Sequence, residues 1–162
     1  MYIGILVMVL LVTCCFFATK ARLNFTYDEG LVFKTAGLIA ASAAVATIID
    51  VGEGVYQGVM VLDVTALEIA SNDEIYDIVI QGSPDSDFGT DTNIVDLCSI
   101  TLAAAEVQRT DCNSDSIVGR HLLPFINMIN ETTYRYLRLY TVVAGTIATG
   151  INYKARAGQI RG

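Results

Sequence analysis

The side chains able to do catalytic chemistry are few in this 162-residue chain, and their spacing does not form a reaction centre. A nucleophilic triad needs a histidine, and the single one, His121, lies in a Gly-Arg-His-Leu-Leu-Pro stretch that leads into an apolar run. No Gly-x-Ser-x-Gly elbow accompanies it. Carboxylate pairs such as Asp73 and Glu74 are adjacent and exposed by their pattern, not convergent. We therefore expect no catalytic residue and no enzyme activity.

The loop at 82–93 is the one place where acidic side chains invite a metal. Asp85, Asp87 and Asp91 lie there at spacings of two and four residues, which invites comparison with a calcium-binding loop. An EF-hand loop needs a third ligand where Gly89 stands, and a closing Glu that this loop lacks. Acidic turn residues that cap their own backbone explain the pattern better. We expect no metal ion and no cofactor.

The four cysteines, Cys14, Cys15, Cys98 and Cys112, show no paired C-x-x-C spacing, so a zinc site is not expected. Cys98 lies in the apolar run 94–102, which predicts a buried strand in which the thiol acts as a small hydrophobe. A Cys98–Cys112 disulfide would need an oxidising compartment, and the start of the chain does not establish one.

Residues 134–157 give the clearest structural signal, a strand followed by a Gly/Thr-marked turn and a second strand. The first strand alternates with a period of two, as a pleated strand requires. One face carries Arg135, Leu137, Leu139 and Thr141, and the other carries Tyr136, Arg138, Tyr140 and Val142. This predicts a closing strand pair with Arg135 and Arg138 on opposite faces.

The rest of the body also favours strands, with turn signals every 8 to 15 residues. Residues 36–46 are small and apolar and allow a helix, as does part of 103–129. The prediction is an all-β, jelly-roll-like β-sandwich with short helical segments, formed by residues 23–162 as a single domain.

Residues 1–22 form an apolar N-terminal segment, in which 1–18 carry no charge. The first basic residues, Lys20 and Arg22, follow the apolar run, which is unlike a signal peptide. Three interpretations stay open: a membrane anchor, an arm or strand inserted into a partner, or an extension upstream of the true start.

The charge is −7 overall but is unevenly spread. Residues 1–115 carry 4 basic and 16 acidic side chains (net −12), and residues 116–162 carry 6 basic and 1 acidic (net +5). Phosphate contacts need clustered Lys and Arg, so a nucleic-acid partner is not expected. The asymmetry suits docking of one pole on a charged protein surface.

Three stretches resemble one known family. The succession Ile78-Val-Ile-Gln-Gly-Ser-Pro-Asp-Ser-Asp-Phe88 is similar to the strand and Gln-x-Ser-x-Asp-x-x-Phe loop of small capsid cement proteins of tailed bacteriophages. Residues 135–146 with 150–155 resemble the closing hairpin of that family, and 43–52 resemble the approach to its first strands. The resemblance extends over about residues 23–157.

The resemblance implies a jelly roll that binds the outside of a phage head and staples neighbouring major capsid subunits. It further implies a homo-oligomer, a dimer or trimer, on the capsid surface of the virion, with the host cytoplasm as the place of assembly. Tyr and Arg are favoured in interface cores. The candidate partner-binding residues are therefore Arg135, Tyr136, Arg138 and Tyr140.

A function of another class is a membrane-anchored surface β-domain, either an adhesin or pilin-like, held by residues 1–18. A membrane partner is expected only under this alternative. The absence of Trp weakens a sugar-binding role, and no Glu interrupts the apolar run as pilin helices require.

Overall fold

A computed structural model of the chain describes residues 25–89, 93–108 and 113–160. These ranges contain twelve strands and a 3-10 turn at Ala105–Val107. The strands are β1 (Phe25–Lys34), β2 (Leu38–Ile39), β3 (Ala43–Ala44), β4 (Ile49–Asp50), β5 (Gln57–Leu67), β6 (Ile75–Ser83), β7 (Val95–Ala103), β8 (Gly119–Ile126), β9 (Met128–Ile129), β10 (Thr132–Thr133), β11 (Tyr136–Ala144) and β12 (Ile151–Ile160).

Two antiparallel sheets pack face to face. The first, here called the β5 sheet, has the order β1-β12-β5-β8, with β2 also paired to β12. The second, the β11 sheet, has the order β3-β11-β6-β7, with β4 also paired to β11. With β3 and β4 counted as one interrupted strand, this is the arrangement of two four-stranded sheets found in jelly rolls. The predicted fold class is confirmed.

The core lies between the two sheets and is built by alternation along each strand. On β5 the side chains of Met60, Leu62 and Val64 are buried in it, and on β11 those of Leu137 and Leu139. Burying each large aliphatic side chain is worth about 1.5–3 kcal/mol, which fixes the face that each strand turns inward. The period of two that was predicted along β11 is confirmed from Tyr136 onward.

The predicted closing hairpin is wrong. Strands β11 and β12 belong to different sheets, and residues 145–150 carry the chain from one sheet to the other. Each strand already has hydrogen-bonded neighbours on both sides, so neither has an edge left for the other. The two face each other across the core, where Thr141 Oγ1 and Tyr153 Oη are 2.6 Å apart and both residues are fully buried.

The link at 145–150, here called the crossover arch, is held by carboxylates. The carboxylate of Glu68 accepts hydrogen bonds from the backbone amides of Ala148, Thr149 and Gly150, at 2.6–3.0 Å for the shortest contact to each. Asp73 accepts from the amide and hydroxyl of Thr146, each at 2.9 Å. The sequence contains these acids, but it does not show that their carboxylates accept hydrogen bonds from residues some seventy to eighty positions further along the chain.

Glu74 corrects another expectation, because it is fully buried rather than exposed. Its carboxylate accepts hydrogen bonds from the amides of Ser71, at 2.6 Å, and Asp73, at 3.1 Å. A buried carboxylate is tolerated when its oxygens are hydrogen-bonded, as here. The pair Asp73 and Glu74 therefore shapes the β5–β6 link.

Acid should weaken the crossover arch. Hydrogen bonds from the amides of Gly150 and Thr149 lower the pKa of Glu68 to about 2, from an ordinary 4.5. Because the folded-state pKa lies below the unfolded one, this contribution is complete above about pH 4.5 and is lost as the pH falls toward 2. We expect Glu68→Gln to lower the melting temperature at pH 6 and to differ little from the wild type near pH 2. An equal difference at both pH values would contradict this.

Residues 36–46 do not form a helix. They contain β2 and β3, whose backbones pair with β12 and β11, so sheet pairing outweighs the helix preference of a run rich in alanine. In 103–129 the only helical residues within the described part are those of the 3-10 turn, and the second half of the range holds β8 and β9. No helix of the described residues is long and apolar enough to cross a membrane.

Several expectations fall on residues outside the described ranges, among them the segment 1–22, Asp91 and Cys112. Cys98 is a free, half-buried thiol on β7, and burial raises its pKa to about 11. In the 82–93 loop Asp87 Oδ1 accepts a 2.9 Å hydrogen bond from the Gly89 amide. The predicted backbone capping is thus confirmed for Asp87.

Candidate protein-binding face

The four candidate residues lie together on the outer face of the β11 sheet. Strand β11 has β6 on one side and β3 and β4 on the other, so its backbone is hydrogen-bonded along both edges. The side chains on its outer face therefore project from a well-fixed strand. Tyr136, Arg138 and Tyr140 alternate with the buried leucines and are partly exposed. With Arg135, which precedes the strand, they form what we call the tyrosine–arginine row.

Arg135 does not share the face of Leu137 and Leu139, although the alternation predicted that it would. Strand β11 begins at Tyr136, so the alternation does not extend to Arg135, and its side chain reaches the outer carboxylate of Asp50. Arg135 Nε donates to Asp50 Oδ1 at 2.9 Å, and Arg135 Nη2 donates to Asp50 Oδ2 at 2.8 Å. Arg135 Nη1 lies 3.4 Å from Glu53 Oε1. Arg135 and Arg138 therefore do not point to opposite faces.

The Arg135–Asp50 pair also fixes the end of the row. Since Asp50 is in register with Tyr136, the guanidinium lies beside the tyrosine, with Cζ 5.2 Å from the ring centre. The hydrogen bond from Arg135 and, with a smaller effect, the one from the Gly52 amide lower the pKa of Asp50 to about 2. Both partners are substantially exposed, so the pair orients side chains more than it stabilises the fold.

Arg138 is held by contacts across three strands. Its Nε donates to Gln81 Oε1 at 3.0 Å, and Gln81 Nε2 in turn donates to Asp96 Oδ1 at 3.0 Å. The guanidinium carbon lies 4.3 Å from the ring centre of Phe88, a buried residue at positive φ. A side chain already fixed in this way loses less entropy on binding than a mobile arginine.

The arrangement suits recognition rather than reaction. The two tyrosines and Arg138 offer flat, amphipathic surface on a rigid sheet. Within residues 25–89, 93–108 and 113–160 no group of three or more His, Cys, Asp or Glu could hold a metal ion. His121 lies on β8 with Nε2 3.3 Å from the carbonyl oxygen of Ile117, a contact within its own segment.

The basic residues of the last third do not form one pole. Arg135 and Arg138 are on the β11 sheet among acids of β4, β6 and β7, whereas Arg120, Lys154 and Arg156 are on the outer face of the β5 sheet. Sequence reasoning missed this second group. The signal was present in the period of two, because Lys154 and Arg156 alternate with the apolar Tyr153, Ala155 and Ala157.

No family model matches the chain, and no curated protein is significantly similar to it. Function therefore has to be inferred from the geometry of the described residues and from the resemblance in sequence.

Proposed function

We propose that this protein is a structural virion protein that binds the outer surface of a phage head and staples neighbouring major capsid subunits. Three features support the proposal: the jelly-roll strand order, the pre-positioned tyrosine–arginine row, and the sequence resemblance to capsid cement proteins. The protein is not an enzyme under this proposal, and it needs no cofactor or metal.

The mechanism is adhesion across a seam. A head that contains packaged DNA is under internal pressure and fails where capsomers part. A small rigid domain that contacts two subunits adds buried area across that seam, and many weakly bound copies act together. The copies would be dimers or trimers on the capsid, assembled onto heads in the host cytoplasm.

The observation that carries the proposal is the tyrosine–arginine row. Tyrosine and arginine are over-represented among residues whose truncation costs about 2 kcal/mol or more in binding. Here they lie side by side on β11 or directly before it, and the two arginines are anchored by Gln81, Phe88 and Asp50. Anchoring of this kind favours tight binding because these side chains lose little conformational entropy when a partner binds.

We expect the double variant Arg138→Ala/Tyr140→Ala to bind purified heads at least tenfold more weakly than the wild type, roughly the loss of one hot-spot residue. Arg135→Ala should have a much smaller effect, because it removes a solvent-exposed pair with Asp50. Co-sedimentation of the full chain with heads that lack it gives the occupancy, and added salt should lower it.

Val107→Ala is the control, since Val107 is an exposed apolar residue in the 3-10 turn, away from the row. Thermal unfolding of each variant shows whether lost occupancy reflects binding or folding. Unchanged occupancy in the double variant would remove the row from the interface. Partition of the wild type with membranes, and not with heads, would favour the alternative of a surface β-domain anchored by residues 1–18.

A further inference from the structure

The outer face of the β5 sheet carries an apolar strip that the core does not use. Val59 and Val61 alternate with the core residues Met60 and Leu62, so they point away from the other sheet. Their partners in register on β8 are Pro124 and Leu122, which are exposed, whereas the two valines are nearly covered. Leu122 is 42% exposed, a high value for a leucine in the middle of a strand.

Cations lie at one end of this strip. Arg156 on β12 is in register with Val61, which is in register with Leu122. In the next row outward Lys154 is in register with Asp63, which is in register with Arg120. Directly opposed side chains in a sheet are about 5 Å apart, so all of these groups belong to one small surface.

The strip and its cations have a net charge of +2, three basic side chains against one carboxylate. Arg120 Nε is 2.7 Å from Asp63 Oδ1, so Asp63 is already neutralised within the face. A shallow depression of about 430 Å³ lies between Arg120, Lys154 and Thr65 and is open to an incoming side chain.

The opposite face of the sandwich has the other sign. The outer side of the β11 sheet carries Asp50, Asp77 and Asp96, with Glu53 beside them, against Arg135 and Arg138. The chain as a whole has a charge of −7. Because the chain is acidic as a whole, its amino-acid composition does not predict a cationic face. The face arises from where the strands place these side chains.

We propose that the exposed Leu122 and Pro124 with Arg120, Lys154 and Arg156, here called the cationic strip, form a second docking face that binds an acidic protein surface, with the buried Val59 and Val61 beside them as its base. The inference rests on the proposed function, because a staple must contact two subunits and the tyrosine–arginine row supplies one contact. Exposed apolar side chains beside charged ones are the mixed composition of a protein interface. Complementary charge at the rim steers and orients the partner.

A protein partner fits the strip better than a nucleic acid does. Nucleic-acid sites gather Lys and Arg along a phosphate track, and this face instead has aliphatic side chains at its centre and a carboxylate in the middle of its basic row. The chemistry expected of the partner is aspartate or glutamate around an apolar patch. One such carboxylate would enter the depression beside Lys154.

The test uses the full chain and purified heads that lack it, with binding measured by co-sedimentation at low and high salt. We expect Lys154→Gln/Arg156→Gln to bind at least tenfold more weakly at low salt and to show a smaller salt dependence than the wild type. Leu122→Asp, at an exposed position, should weaken binding as strongly. Ala41→Glu/Ala70→Glu changes the net charge by the same −2 at exposed links and should bind as the wild type does.

The outcomes separate this inference from the function on which it rests. A wild type that does not sediment with heads contradicts the proposed function itself. A wild type that binds, with both strip variants binding equally well, overturns only the second face. The second face is also overturned if Leu122→Asp leaves head binding unchanged but either lowers the melting temperature of the free protein or dissociates an oligomer. The strip is then covered by the chain itself or by a second copy.

Discussion

Replacing Gly150 with alanine will lower the free energy of unfolding by more than about 3 kcal/mol, because two costs add at this residue. Gly150 has φ +89°, a conformation that costs an L-residue about 1–2 kcal/mol. A Cβ there would also overlap the carbonyl oxygen of Ile39 and stand 2.8 Å from Cα of Ala40. Either β2 or the crossover arch would have to move, and Gly150 also donates its amide to Glu68.

Gly54→Ala is the matched control for this variant. A Cβ on Gly54 would meet no atom within 4 Å, so we expect a change within about 0.5 kcal/mol. Urea denaturation followed by circular dichroism measures both variants on one scale. If the two glycine variants were equally stable, the close approach of β2 to the arch would not be present in solution.

Asn127→Ala should be nearly as damaging, with an expected loss of about 3 kcal/mol, since buried partners would be left unsatisfied. Asn127 is fully buried between β8 and β9. Its Oδ1 accepts from the amide of Tyr56 at 2.6 Å, and its Nδ2 donates to the carbonyl oxygens of Gly54 and Tyr134 at 3.1 and 3.0 Å. One amide therefore joins three segments of the chain.

Two comparisons sharpen this prediction. Asn127→Asp keeps the shape but cannot donate two hydrogen bonds and places a charge in the interior, so it should be at least as destabilising as alanine. Thr132→Ala, at an exposed position of β10, should stay within about 0.5 kcal/mol of the wild type. Since Tyr134 immediately precedes the tyrosine–arginine row, Asn127→Ala should also weaken head binding. A loss of stability below about 1 kcal/mol would show that water replaces the amide.

The amino-acid sequence determined the fold class and which side chains of β11 share a face. Alternation of apolar and polar residues is a local property, and a strand such as β11 shows it without reference to its neighbours. The same alternation placed Tyr136, Arg138 and Tyr140 on one face, where the structure has them. It failed at Arg135 because the strand begins one residue later, and a side chain outside the ladder is free to turn toward Asp50.

Pairing was decided only by the tertiary structure. Alternation tells which face of a strand is buried but not which strand lies beside it, so β11 and β12 looked like a hairpin although they face each other across the core. The crossover arch that links them is held by Glu68 and Asp73, which are some seventy to eighty residues away in sequence. Contacts this distant in sequence leave no local pattern, because they form only when the whole sandwich closes.

The division of charge has the same origin. The sequence established that the last third is basic, but it could not show that its cations separate onto two outer faces, which differ in the sign of their net charge among the described side chains. That outcome follows from strand order, which places β12 and β8 on either side of β5 and sends β11 to the other sheet. Charged side chains on a strand lie beside those of the neighbouring strands, so the candidate binding faces depend on which strands pair. The buried core depends instead on the alternation of apolar and polar residues within each strand.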